Sequence, residues 1–203
     1  MNTVAVVCGG KGRRQDGQVK SLLPVEGRAL IDWKLDELVA HGADQLCLLV
    51  AYGADNIREH VDRHDPGVPV TFVYDEGLGP WIAVDWALRG GYLPDEFFVA
   101  MGDVLVDVDL AHEGELPWMV VTTDSPDEPY NTAIVDGWCV QQPFEWLEFT
   151  HLDCGLYRTS REWFLASRAT WRPCPSFQPR VVDVRTWQAN TPESLGVLRG
   201  HLA

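Results

Sequence analysis

The sequence predicts an α/β fold of three layers, a mostly parallel central sheet with helices on both faces. Two observations carry that prediction. Short, continuously apolar runs alternate with helix-period segments through the first half of the chain, the pattern of strands buried on both sides. At 203 residues and 46% apolar composition, the chain also carries enough apolar side chains to fill such a core.

The elements follow in order. Val4–Val7 reads as a first strand, and Ala29–Ala40 as a helix with Leu30, Ile31, Leu35, Leu38 and Val39 on one stripe, stopped by Gly42. Leu46–Val50 is an apolar strand, Ala54–Val61 a short helix and Val68–Tyr74 a further strand. Trp81–Leu88 is helical and closed by Gly90-Gly91, and Phe97–Met101 is a strand that ends at Gly102-Asp103. After Asp109 the texture changes. Trp118–Thr122, Thr132–Val135 and Trp138–Gln141 read as strands, the last two joined by an Asp136-Gly137 turn. Leu152–Tyr157 is another strand, Ser160 caps a helix that runs through Ala166, and the three prolines of Arg172–Pro179 predict a loop. Thr191-Pro192-Glu193 opens a last helix. No linker divides residues 1–203, so one domain is expected, with 1–109 and 110–203 as its two halves.

The glycine-rich stretch Cys8-Gly9-Gly10-Lys11-Gly12-Arg13-Arg14 follows the first strand, with Lys20 beyond it. Glycines let a backbone turn sharply and aim several N–H groups into one concave space, and the flanking cations add fixed positive charge. Donors and cations in that arrangement suit a triphosphate. Ligands of open parallel sheets bind beyond the carboxyl ends of the strands. The glycine turn, the segment after Tyr74 and Asp103 should therefore collect at one edge. A carboxylate there is placed to hold Mg²⁺, which takes one or two carboxylates with substrate phosphates and water. In Asp75-Glu76-Gly77-Leu78-Gly79-Pro80, Gly77 and Gly79 allow close approach of a base, and Glu76 could accept from its ring and exocyclic N–H groups, which favours guanine. Asp107 and Asp109 read as a solvated face, and Trp81 and Trp86 as core or cleft-rim residues.

The formal charge of −14 opposes nucleic-acid and anionic-membrane surfaces but not a small anionic substrate. No apolar run approaches the length of a membrane span and no secretory segment follows Met1, so a cytoplasmic protein is expected. Cys8, Cys47, Cys139, Cys154 and Cys174 show no ligand spacing and read as reduced, buried thiols. His60 and His64, four apart, read as a helix surface.

These residues resemble the GT-A-like nucleotidyltransferases, a superfamily of sugar-1-phosphate nucleotidyltransferases and of compact guanylyltransferases acting on molybdenum-cofactor or cobinamide phosphates. The glycine stretch, Lys20, Leu22-Leu23-Pro24 and Gly27-Arg28-Ala29-Leu30 resemble its signature region. Gly102-Asp103 resembles its metal-holding strand end, Leu152–Tyr157 its acceptor strand and Asn190–Leu195 the start of its closing helix. The resemblance implies a Rossmann-like fold and an Mg²⁺ cofactor. It implies that Gly9, Gly10 and Gly12 cradle the triphosphate and that Arg14, Lys20 and Asp103 are catalytic; Cys8, Lys11 and Arg13 of the same stretch join Glu76 and Gly79 as expected nucleotide-binding residues, with 1–109 as the nucleotide-binding half and 110–203 as the acceptor-binding half. It also implies that Asp103 binds the metal and that Asp153 and Gly155 face the acceptor; Gln188 stands where a second acidic ligand is expected.

The expected partners are a nucleoside triphosphate and a phosphorylated small molecule, with no nucleic acid and no membrane; a homo-oligomer is left open. The favoured reaction is NMP transfer to a sugar 1-phosphate with release of pyrophosphate. A cofactor phosphate as acceptor, or a non-catalytic nucleotide-binding homologue, stands as the alternative.

Overall fold

The computed structural model describes residues 1–10, 18–111, 116–124, 131–141, 148–169, 177–182 and 186–188, together with 194, 196, 198 and 200. In chain order the elements are β1 (Thr3–Val7), a 3₁₀ turn at Lys20–Leu22, β2 (Pro24–Val25), β3 (Arg28–Ala29), α1 (Leu30–Ala40), β4 (Gln45–Val50), α2 (Ala54–His64) and β5 (Val70–Tyr74). There follow α3 (Pro80–Arg89), β6 (Glu96–Met101), β7 (Val104–Val106), β8 (Trp118–Thr122), β9 (Ala133–Val135) and β10 (Trp138–Val140). The last are β11 (Leu152–Ser160), α4 (Arg161–Ala169), β12 (Gln178–Val182) and β13 (Thr186–Gln188). Residues 194, 196, 198 and 200 are helical, where a closing helix is expected.

The main sheet has seven strands in the order β12-β8-β11-β6-β1-β4-β5. β1 pairs in parallel with β4 on one side and β6 on the other, and β4 pairs in parallel with β5. Only β11 runs against its neighbours β6 and β8. The expected mostly parallel sheet is present. Because the chain leaves β1 towards β4 and returns on the far side at β6, the strand order reverses between β1 and β6. Their carboxyl ends flank that switch point, where open α/β sheets bind ligands.

Alternation along β1 sends Val4 and Val6 to one face and Ala5 to the other. The first face packs Ile31, Leu35 and Leu38 of α1 and Ile57 and Val61 of α2. The second packs Trp81, Val84 and Leu88 of α3 and Phe164 of α4. Three layers result. Asp32 reaches back to the Ala29 N–H at 3.2 Å to start α1, and the Ser160 hydroxyl accepts the Trp163 N–H at 3.2 Å to start α4, as the sequence predicts.

The predicted loop at Arg172–Pro179 needs correction at its end: Gln178 and Pro179 open β12. Proline is tolerated there because β12 is an edge strand, paired only with β8, so the missing N–H interrupts no second ladder. The turn between β9 and β10 forms as read, with Asp136 and Gly137 at φ 50° and 79°. Cys8, Cys47, Cys139 and Cys154 are buried and not joined in disulfides; Cys174 lies outside the described residues. Among the described residues no helix is long and apolar enough to cross a membrane.

Candidate active site

The site is assembled at the switch point. Past the end of β1, the Cys8 N–H bonds the Leu49 carbonyl at 2.8 Å, so the chain stays paired with β4 until the glycine turn begins. On the other side the Gly102 N–H bonds the Val7 carbonyl at 3.0 Å. Gly102 is glycine because of that approach: a Cβ there would stand 2.8 Å from the Val7 oxygen and 3.0 Å from Cys8 Sγ. Asp103, the next residue, is thereby held beside the first residue of the glycine turn.

Lys20, at the head of the 3₁₀ turn, forms a salt bridge from Nζ to Asp103 Oδ2. Their side chains are 15% and 29% exposed, so both can reach a ligand in the cleft. Asp103 and burial together work on the Cys8 thiol: loss of water chiefly, with the Asp103 charge adding to it, pushes the thiol up to about 12. Buried and raised in this way, Cys8 is a poor nucleophile.

At the same strand ends, lined by neither Lys20 nor Asp103, lies a hollow of about 120 Å³. Among the described residues, Val7, Gly9 and Gly10 form one wall and Asp75, Gly77 and Gly79 the other, with Pro80 and Ala83 of α3 behind. Gly9, Gly10 and Gly79 all border this hollow. Glu76 is exposed and does not line the hollow; Asp75 does. Sequence reasoning passed over Asp75. Its Oδ1 accepts the Gly77 N–H at 2.5 Å, and loss of water raises its carboxyl above the ordinary value. Lys11, Gly12, Arg13 and Arg14 lie outside the described residues.

On the other side of β6 from β1 lies β11. Between Asp153 and Tyr157 the register of β11 against β8 shifts, a bulge of the kind found beside active sites. Gly155 sits in it at φ 66°, a left-handed conformation suited to glycine, and a Cβ there would meet Met101 Cβ at 3.0 Å. Gly155 is thus packed on the last residue of β6, two residues from Asp103. The Asp153 carboxylate is engaged within the protein: it accepts from the Tyr157 hydroxyl, from Gln141 Nε2 at 2.8 Å and from the Gly155 N–H at 2.8 Å. Burial raises its carboxyl above the ordinary value, these donors offsetting part of the rise. Asp153 therefore holds the bulge, and with it the Gly155 backbone, in shape.

Trp81 is buried against Tyr157, at 5.0 Å between ring centroids, and Phe177, at 5.7 Å, so it fills core. Trp86 is exposed. Asp107 is solvated, as expected, and bonds His41 Nε2 at 2.9 Å. His60 and His64 bond Asp32 and Asp36 on α1 at 2.7 and 2.9 Å.

Among the described residues, no group of three or more His, Cys, Asp or Glu side chains is arranged to hold a metal ion. A lone, part-exposed carboxylate at a phosphate-binding edge nevertheless fits Mg²⁺, which shares its shell between one or two carboxylates, substrate oxygens and water. It does not fit zinc, which needs three or four protein ligands. The backbone register sets Gln188 of β13 opposite Val104, one residue from Asp103.

Comparison with known proteins gives concordant results. The family model for a MobA-like NTP transferase domain matches residues 4–114. The UTP–glucose-1-phosphate uridylyltransferase AglF of Haloferax volcanii is 27% identical over 110 residues, 52% of this chain and 44% of that protein. The D-glycero-alpha-D-manno-heptose 1-phosphate guanylyltransferase of Campylobacter jejuni is 24% identical over 111 residues, 52% of this chain and 49% of that protein. The matched region spans about half the length of these curated relatives. Among solved structures, HddC from Yersinia pseudotuberculosis complexed with GMP-PN superposes with a TM-score of 0.79 over 100% of both chains at 18% identity, a likeness of fold.

Proposed function

The chain belongs to the MobA-like NTP transferase domain family, and from that premise we propose that it transfers a nucleoside monophosphate from an NTP to a phosphorylated small-molecule acceptor, releasing pyrophosphate. A sugar 1-phosphate is the favoured acceptor, which would make the product an NDP-sugar; both curated relatives are named for such acceptors. One observation carries the reading: Lys20 and Asp103 meet at the switch point, beside the Gly9–Gly10 turn.

In this reading residues 1–109 bind the nucleotide and 110–203 the acceptor. The backbone around Gly9 and Gly10 receives the phosphates, and the hollow between Gly9 and Gly79 receives the base. Asp75, rather than Glu76, accepts from the base, and an acceptor carboxylate in that position favours guanine with its ring N–H and amine. Asp103 would hold Mg²⁺, which when bound supplies charge neutralisation on the phosphate oxygens. Lys20 then turns from Asp103 to the phosphates, where its mobile ammonium balances charge as pyrophosphate leaves. The acceptor phosphate is already anionic and attacks the α-phosphorus without a protein base. Gly155 of β11 steers it through backbone groups. Catalysis is positioning and charge stabilisation. Such a reaction draws on the cytoplasmic nucleotide pool.

The test is pyrophosphate release with each of the four NTPs against a panel of sugar 1-phosphates and cobinamide phosphate, with Mg²⁺ present and chelated. Turnover with one pair, lost on chelation, supports the assignment. NTP binding without turnover on any acceptor would make the chain a non-catalytic nucleotide binder.

A further inference from the structure

Lys34 is a fully buried charge that the chemistry above leaves unused. It sits on the apolar stripe of α1 between Leu30 and Leu38 and is 0% exposed. Its Nζ lies 2.5 Å from Glu37 Oε2. The other carboxylate oxygen, Oε1, accepts the Val106 N–H at 2.5 Å. Val106 ends β7, the strand that starts immediately after Asp103. Lys34 is also close enough for its charge to act on the Cys8 and Cys154 thiols, which border the glycine turn and Gly155. The pair therefore lies beneath the floor where the nucleotide turn, the Asp103 strand end and the acceptor bulge converge.

A buried ion pair is a poor way to add stability, because desolvating two charges offsets most of their attraction, and an apolar pair of similar volume often does as well. What this pair does that an apolar pair could not is bond a backbone N–H. β7 is three residues long and, among the described residues, pairs with the equally short β13 and not with a strand of the main sheet. Glu37 ties the last residue of β7 to α1, and the Lys34 charge offsets part of the rise that burial imposes on the Glu37 carboxyl.

We propose that Glu37 is a positioning residue, its buried side-chain oxygen anchoring β7 to α1 with Lys34 as its counter-charge, and that this anchor sets where Asp103 stands for the metal–nucleotide. This rests on the nucleotidyl-transfer reading and adds to it a determinant outside the cleft.

Two double variants separate the roles. K34M/E37Q removes both charges but keeps a carbonyl for the Val106 N–H, while K34M/E37L removes the anchor too; methionine fills the lysine volume. Each is compared with the wild-type chain by backbone amide exchange over 101–108 and by Mn²⁺ binding, read by electron paramagnetic resonance with a non-hydrolysable NTP analogue. Second-sphere changes of this kind typically weaken metal binding about 10- to 100-fold. The expected result is that K34M/E37L loses Mn²⁺ affinity about 10-fold or more and exchanges faster over 101–108, while K34M/E37Q stays near wild type. If K34M/E37L fails to fold, Glu37→Asp, which keeps the charge but draws it back from Val106, takes its place with the same readouts. Unchanged Mn²⁺ affinity in a folded anchor variant overturns the clamp and leaves the transfer reading standing. A wild-type chain that binds no Mn²⁺–nucleotide overturns both.

Discussion

Lys20 and Asp103, 83 residues apart in the chain, meet through a salt bridge at the carboxyl edge of the sheet. The contact places a cation and an anion of the site in mutual neutralisation before any ligand is present. A metal–nucleotide carries both charges that are needed to separate them: its cation for Asp103, its phosphates for Lys20. In the proposed reaction the pair would be exchanged for the metal–nucleotide.

Lys20→Ala should therefore cost turnover more than stability. A preorganised donor aimed at developing charge is worth roughly 10²- to 10³-fold in rate. Asp103, part exposed, can be hydrated once its partner is gone, so the thermal midpoint should move by no more than about 4 °C. Steady-state pyrophosphate release and a thermal melt check this, and a kcat within 2-fold of wild type would remove Lys20 from the mechanism.

Asp75 should set both base preference and an acid limb. It accepts from a base only when ionised, and its carboxyl is raised by loss of water, with the Gly77 N–H offsetting part of the rise. Protonation, and with it loss of kcat/KM for the NTP, should consequently set in at higher pH than an ordinary aspartate would give. Asp75→Asn should remove that limb and lower kcat/KM for the preferred NTP by roughly 10- to 100-fold, the worth of hydrogen bonds to a charged acceptor. Profiles of kcat/KM against pH for both proteins decide it; coincident profiles would clear Asp75 of the role.

How far the sequence reveals this site depends on the residue. The strand ends were legible because β1 and β6 are continuous apolar runs and the turns after them carry glycine and a single acid. Asp75 was not, because which of two adjacent carboxylates points inward depends on the pairing of β5 with β4, and the Asp75 N–H still bonds the Val50 carbonyl at 2.9 Å. β7 and β13 have three residues each, too few for any periodicity to show, and Pro179 disguised β12. Lys34 left a usable trace: a lysine four residues from both Leu30 and Leu38 lies in the middle of an apolar stripe.

Gly102→Ala should be damaging out of proportion to one methyl group. The added Cβ would meet a backbone oxygen, that of Val7 at 2.8 Å, which cannot rotate away, so β6 must part from β1 at the end that carries Asp103. Overpacking of this kind costs about 1–3 kcal/mol. Stability and kcat should fall together, measured by urea unfolding and turnover on the same preparation; a kcat unchanged in the folded protein would show that Asp103 does not depend on that spacing.

Asp36 makes a prediction about pH and salt. Burial works upward on its carboxyl, but the Arg28 guanidinium at 2.5 Å and the His64 ring at 2.9 Å outweigh it and hold the group below its ordinary 3.8. A carboxylate depressed in the folded state contributes stability above the unfolded value, and that contribution is lost as pH falls through the lower, folded one. The side chain is 46% exposed, so solvent screens the interaction and the contribution at neutral pH is small, about 1 kcal/mol or less. Asp36→Asn should then be slightly less stable than wild type at neutral pH, the gap should narrow in about 1 M salt, where the screening length is near 3 Å, and it should close as the pH is lowered past 3.8. Urea unfolding of both proteins across that range is the measurement, and a gap that widens on acidification would mean that another group, not Asp36, couples α1 to α2.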